Sequence, residues 1–299
     1  MSRRVEKIMI YKTANDWLNS NSKRILFFGM SGLGKTYISN ILRETGNWFH
    51  YSVDYRIGTH YMGEHIVDNF KSCAMKDPFL ADLLRSDSIY IASNITFDNL
   101  SPLSTYLGKP GSIEHGGLPF DEYQKRQNQH IVAEKSALID TLSFIEKGTH
   151  IYGYDNFICD SGGSICEVVE PSDINDEILR KLSKKLLFIW IKGSDEHRKN
   201  LIDRFDKNPK PMCYQPDFLI KSWSQYKQEK LLTDDKINPD SFIRWIYSKA
   251  LDYRQPRYQE IAQKWGLTIQ AAELEKTRTE KQLITLIAKK LESFKEDKK

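Results

Sequence analysis

The chain has 299 residues, with 44 Lys and Arg against 40 Asp and Glu and a net charge of +4. That length excludes a stapled miniprotein and leaves room for one large domain or two small ones, while the near balance of charge offers no polybasic field for a nucleic-acid partner. Hydrophobic residues make up 40% and no window approaches the roughly 18 apolar residues of a membrane span, so a soluble, cytoplasmic protein with no membrane partner is expected.

Residues 1–22 begin with a basic pair and then mix charge through the apolar positions, which predicts an amphipathic helix rather than a secretory signal. The short apolar run Arg24-Ile25-Leu26-Phe27-Phe28 stops abruptly in Gly29-Met30-Ser31-Gly32-Leu33-Gly34-Lys35-Thr36. From Lys35 onward Ile38, Ile41 and Leu42 share one helical face, and Gly46 closes the segment. A second run, 48–53, ends in Asp54, and later runs at 157–159 and 186–191 read as buried strands. Helical patterns lie between, near 130–146 and 173–184. Residues 60–120 carry four prolines and a cluster of glycines, which predicts a helical and looping insertion. At the end, Thr277-x-x-Glu280 offers a capping box before an apolar stripe of Leu283, Ile284, Ile287 and Leu291, and the Lys-rich tip 295–299 is expected to fray. No repeat or low-complexity tract interrupts this order.

Strands alternating with helices predict an α/β fold: three layers, α/β/α, around a mainly parallel sheet with its ligand at the strands' carboxyl edge. The expected organisation is an N-terminal helix over 1–22 and one domain over 23–299, with an insertion at about 60–120 and a lid at about 195–215. The four cysteines, Cys73, Cys159, Cys166 and Cys213, show no CxxC pair and no ligand spacing with histidine, so neither a disulfide nor a structural zinc is expected.

Gly29-x-x-x-x-Gly34-Lys35-Thr36 is a full Walker A pattern. Its glycines let backbone N–H groups turn inward around phosphates, and the helix beginning near Lys35 adds its positive end. Lys35 reaches the β and γ phosphates and Thr36 ligates Mg²⁺. Gly29, Ser31, Gly32, Leu33, Gly34, Lys35, Thr36 and Tyr37 are therefore the expected nucleotide-binding residues. ATP is expected over GTP, because Asp160-Ser161-Gly162-Gly163 has the DxxG spacing but no Asn-Lys-x-Asp follows. Asp160, at the end of its run, is a second candidate for Mg²⁺.

Around this cradle, Asp54 can orient or deprotonate an acceptor hydroxyl; the alternative is a helix N-cap. Ser161-Gly162-Gly163-Ser164 can bring its backbone close to a ligand, or can be an ordinary strand-to-helix turn. The segment from Trp190 runs into a basic helix in which Arg198, Arg204 and Lys207, with Lys210 beyond, either close over the nucleotide or form a solvated face.

In this order the residues resemble the P-loop small-molecule kinases, shikimate kinase most of all, over about 180 residues. Val53-Asp54-Tyr55-Arg56-Ile57 resembles that family's acceptor-contacting aspartate, and Ser161-Gly162-Gly163-Ser164 its glycine-rich acceptor turn. The lid resembles Arg204 with Lys210-Pro211, where lysine stands in place of the family's arginine. Arg254-Gln255-Pro256-Arg257-Tyr258 resembles the element that binds the acceptor's carboxylate, followed as in the family by a strand and a last helix. Arg126 is the candidate for its second substrate arginine. Ser52 departs from the family, which has a Mg²⁺-associated aspartate there.

The resemblance implies an ATP- and Mg²⁺-dependent kinase acting on a hydroxyl of a small, carboxylate-bearing molecule. Its expected catalytic residues are Lys35, Asp54, Arg204 and Lys210. Asp54, Gly162, Gly163 and Arg254 are expected to hold the acceptor, and Thr36 and Asp160 the metal. The competing reading is a regulatory ATPase whose insertion moves on ATP binding and is read by a protein partner.

Overall fold

Short apolar runs become strands because each can be covered on both faces: β1 (Arg24–Phe28), β2 (Trp48–Ser52), β3 (Asn156–Asp160), β4 (Leu187–Lys192) and β5 (Gly266–Gln270). The computed structural model describes residues 8–296. All five strands are parallel and lie in the order β2-β3-β1-β4-β5. β1 occupies the middle between β3 and β4, and Ile25 to Phe28 and Leu187 to Ile191 are buried throughout. The helix Lys35–Glu44 packs on β2 and β3 through Ile38 and Leu42, while Glu280–Glu296 packs on β5 through Leu283, Ile287 and Leu291. The result is a three-layer α/β fold of the P-loop NTPase type. Among the described residues no helix is long and apolar enough to cross a membrane.

The strand order places the ligand edge. From β1 the chain moves outward to β2, returns through β3 beside β1, and then crosses to β4 on β1's other side. The loops that follow β1 and β3 therefore leave neighbouring strands at the same edge, where the crossover direction reverses.

The chain forms two compact units. One comprises Met1–Val53, Leu138–Asn208 and Tyr247–Lys299 and holds the sheet; the other comprises Asp54–Ala137 and Pro209–Ile246. This differs from a single domain with an insertion at 60–120, since the second unit starts earlier, ends later and takes in a further segment. The sequence hides its far boundary because Ala137 lies inside one uninterrupted helix, Phe120–His150, with no glycine or proline near it. The second unit is built from helices. Its core includes Trp223 stacked on Phe120 at 4.6 Å and set edge-on to Phe242 at 4.8 Å.

Both chain ends differ from expectation. Of the helix expected over 1–22, residues 1–7 lie outside the described residues, and the rest contains only Ala14–Leu18. Thr13 fixes that start: its hydroxyl accepts from the Asp16 amide at 3.0 Å while Asp16 accepts from the Thr13 amide at 2.9 Å. Trp17 anchors the short helix by donating to the Ile284 carbonyl at 2.9 Å. The last helix, Glu280–Glu296, is not boxed by Thr277, which is buried and donates back to Glu273; Thr279 accepts from the Gln282 amide instead. Residues 297–299 of the expected frayed tip lie outside the described residues.

Candidate functional site

β1 delivers the chain into the loop 29–36 with a backbone that side chains would not tolerate. Gly29 has φ +132°, and a Cβ there would stand 2.7 Å from the Ile191 carbonyl oxygen of β4. Gly32 has φ +86°, and a Cβ there would collide with the guanidinium of Arg204. Only glycine allows this approach. The next helix starts at Lys35 with Gly34 as its left-handed cap, so its first N–H groups open onto the loop.

Lys35 is buried, and its Nζ donates to the carbonyls of Gly29 at 2.9 Å and Met30 at 3.0 Å. Its charge is thereby fixed at the centre of the loop. Thr36 Oγ1 donates to Asp160 Oδ2 at 3.3 Å, and the other oxygen of Asp160 accepts from the Gly162 amide at 3.1 Å. Strand register explains the meeting: Asp160 pairs with Phe27 on one side and Ser52 on the other, so it ends β3 just where the loop leaves β1. A hydroxyl and a buried carboxylate side by side at the foot of a phosphate-type loop are oxygen donors suited to Mg²⁺. The structure thus brings Thr36 and Asp160 together, and a Mg²⁺ ion fits the chemistry of the pair. On β2, His50 is lowered below the ordinary histidine range, by burial first and by Arg43, with Asp160 opposing.

Arg204 comes from the helix Asp195–Lys207, which Ser194 starts by accepting from the His197 amide. Its guanidinium lies against Gly32 of the loop. Arg198, read as either a lid cation or part of a solvated face, pairs with Asp252 at 2.7 Å. Tyr37 is half exposed, with Arg278 5.8 Å over its ring, and Leu33 packs near Gly193.

The turn after β3 is fastened beneath the loop. Ser161 donates its amide and its hydroxyl to the Phe27 carbonyl at 3.1 and 3.0 Å, and a Cβ on Gly163 would stand 3.4 Å from the Ser31 amide nitrogen. Gly162 and Gly163 therefore lie alongside the cradle. The Gly163 carbonyl accepts from Tyr258 Oη and, at 3.3 Å, from Arg254.

Arg254 differs most from its expected role. It is 2% exposed, and its Nε donates to Glu167 of the chain itself at 2.5 Å. Burial opposes its charge, yet Glu167, Tyr258 and Cys166 together outweigh it and hold the guanidinium well above its ordinary value. An arginine paired in this way braces the 162–163 turn through the Gly163 carbonyl. Arg257 caps the same stretch, donating to the Cys166 and Val169 carbonyls at 2.7 Å each. Sequence reasoning missed Glu167 and Tyr258. A signal for the first was present: Ile165-Cys166-Glu167-Val168-Val169 puts one charge inside an apolar run, and a buried charge requires a partner.

The remaining candidates belong to the second unit. Asp54 lies in the first turn of the short helix Val53–Arg56, which replaces the N-cap alternative. Lys210 is exposed and lines a cavity of about 610 Å³ with Asp98, Lys109 and His115. Arg126 is occupied by Glu122 at 2.9 Å, the Tyr106 carbonyl at 2.6 Å and Asn69 at 3.1 Å, so it braces its own unit.

No family model matches the chain, and no curated protein matches it significantly. Among solved structures, one of shikimate kinase from Bacteroides thetaiotaomicron is similar, at 13% identity and a TM-score of 0.36, covering 91% of this chain and 98% of that one. So loose a likeness carries no argument about activity, and the fold rests on the order and direction of the chain's own strands.

Proposed function

We propose that the sheet-bearing unit binds ATP at residues 29–37 and that the protein transfers the γ-phosphoryl group to a hydroxyl of a small molecule. The observation that supports this best is the set gathered on one loop: buried Lys35 at its centre, Thr36 against Asp160 at its foot, and Arg204 against Gly32. Phosphoryl transfer asks a protein mainly for positioning and for positive charge around the moving group, and these residues supply both. The loop amides and Lys35 hold the phosphates, and Arg204 adds a second cation. Thr36 and Asp160 would hold Mg²⁺, which would supply charge neutralisation of the phosphate oxygens. Gly162 and Gly163 leave room for the acceptor beside the loop. Arg254 is assigned to positioning the 162–163 turn, so the acceptor need not carry a carboxylate.

A second reading has one observation in its favour, the size of the second unit, Asp54–Ala137 with Pro209–Ile246. In it the protein is a regulatory ATPase that acts through a protein partner. Stoichiometry separates the two. Incubation with ATP, Mg²⁺ and a panel of hydroxy acids, sugars and nucleosides should yield ADP matched by phosphorylated acceptor, with Lys35→Ala as the blank. ADP matched by free phosphate, unaffected by every acceptor, would favour the regulatory reading.

A further inference from the structure

The helix Phe120–His150 lays an unusual stripe into the second unit's core. Tyr123, Gln127, His130 and Glu134 follow at helical spacing, and all four are at most 4% exposed. A polar stripe in a core position is costly unless each group is satisfied. Here His130 Nδ1 and Tyr123 Oη have no hydrogen-bond partner among the described residues. His130 Nδ1 stands 3.7 Å from Glu134 Oε2, beyond hydrogen-bonding distance. Such a gap between two donor atoms suits neighbouring ligands of one ion, since tetrahedral bonds of about 2.0–2.3 Å put ligands roughly 3.3–3.8 Å apart.

A third donor completes the group. Cys213 is buried, and one ligand atom each from His130, Glu134 and Cys213 lie within 4.8 Å of one another. Gln127, one turn before His130, holds the cysteine in place: its amide donates to the Met212 carbonyl at 3.0 Å and its oxygen accepts from the Tyr214 amide at 2.9 Å. The two bonds bracket Cys213 and hold the backbone on either side of it. Such support behind a ligand is what a metal centre uses to orient its first ligands.

We propose that His130, Glu134 and Cys213 form a binding site for a divalent zinc ion, with water at the fourth position. Nitrogen, oxygen and sulfur together suit zinc and disfavour magnesium, so the site is chemically distinct from Thr36 and Asp160. Burial lowers His130 to about 4, which leaves the imidazole neutral, as a ligand must be. Zinc displaces the proton of the Cys213 thiol, and the site clips the helix to the segment at Met212–Tyr214. No spacing rule finds it in the sequence, because Cys213 lies 83 residues after His130.

Cobalt(II) titrated into chelator-stripped full-length protein provides the test. One equivalent should bind with a thiolate-to-cobalt charge-transfer band, be displaced by zinc, and raise the urea midpoint. The band should vanish in Cys213→Ser and persist in Cys73→Ser. His130→Gln, which keeps the thiol, should weaken cobalt binding at least about tenfold, and Gln127→Ala about 10–100-fold. Absence of saturable uptake by the unaltered protein, or a band that survives in Cys213→Ser, would overturn the site.

Discussion

Replacing Arg254 by Met separates a structural arginine from a substrate-binding one. The guanidinium is 2% exposed, sits 2.5 Å from Glu167 and adds a 3.3 Å bond to the Gly163 carbonyl. Removing one partner of such a buried pair costs about 3–5 kcal/mol, because the other charge stays in the core. The lost bond to Gly163 adds about 1 kcal/mol. With a denaturant slope of about 2–3 kcal/mol per molar urea, the midpoint of the sheet-bearing unit should fall by roughly 2 M. Tryptophan fluorescence reads this transition, since Trp190 lies on β4 and Trp265 adjoins β5. The double variant Arg254→Met/Glu167→Leu should recover at least half of the loss, because no uncompensated charge remains. Nucleotide affinity should fall in the single variant as well, since Gly163 abuts the loop at Ser31. A single variant as stable as the parent, with only acceptor KM raised, would refute the reasoning and restore Arg254 to the acceptor.

Three further outcomes follow from the same geometry. Thr36→Ala and Asp160→Asn should each raise the Mg²⁺ concentration needed for half-maximal nucleotide binding about tenfold, and the double variant should cost less than the sum, read by calorimetric titration over a magnesium series. Gly32→Ala should weaken ATP binding by at least about tenfold and lower the urea midpoint by about 0.5–1 M, because the added methyl meets Arg204 at a left-handed position. His50 should make the sheet-bearing unit acid-sensitive: its folded pKa lies below its unfolded value, so its contribution is present above about 6.5 and is lost as pH falls. The urea midpoint of His50→Gln should therefore change less between pH 7.5 and 5.5 than that of the parent.

The legible parts of this chain were those whose signals are local. β1 and β4 are continuous apolar runs, and the loop 29–36 carries its whole chemistry in eight consecutive residues. Asp160 was legible because a carboxylate ending a buried strand has few other uses. What escaped depends on residues far apart in sequence. Glu167 neutralises Arg254 from 87 positions away, and Gln127 holds the Met212 carbonyl from 85 positions away. The second unit's boundary escaped for the opposite reason, because helical propensity runs unbroken through Ala137. At the ends, capping chemistry chose Thr13 and Thr279 over broader amphipathic patterns.

The central claim is that the loop's charges serve phosphoryl transfer to a small hydroxyl compound. Parallel measurement of ADP, free phosphate and phosphorylated acceptor across an acceptor panel, in the parent and in Lys35→Ala, tests it directly. ADP should exceed free phosphate with at least one acceptor, matched by phosphorylated product and abolished in Lys35→Ala. ADP and free phosphate in equal amounts with every acceptor, or turnover that Lys35→Ala leaves unchanged, would contradict it.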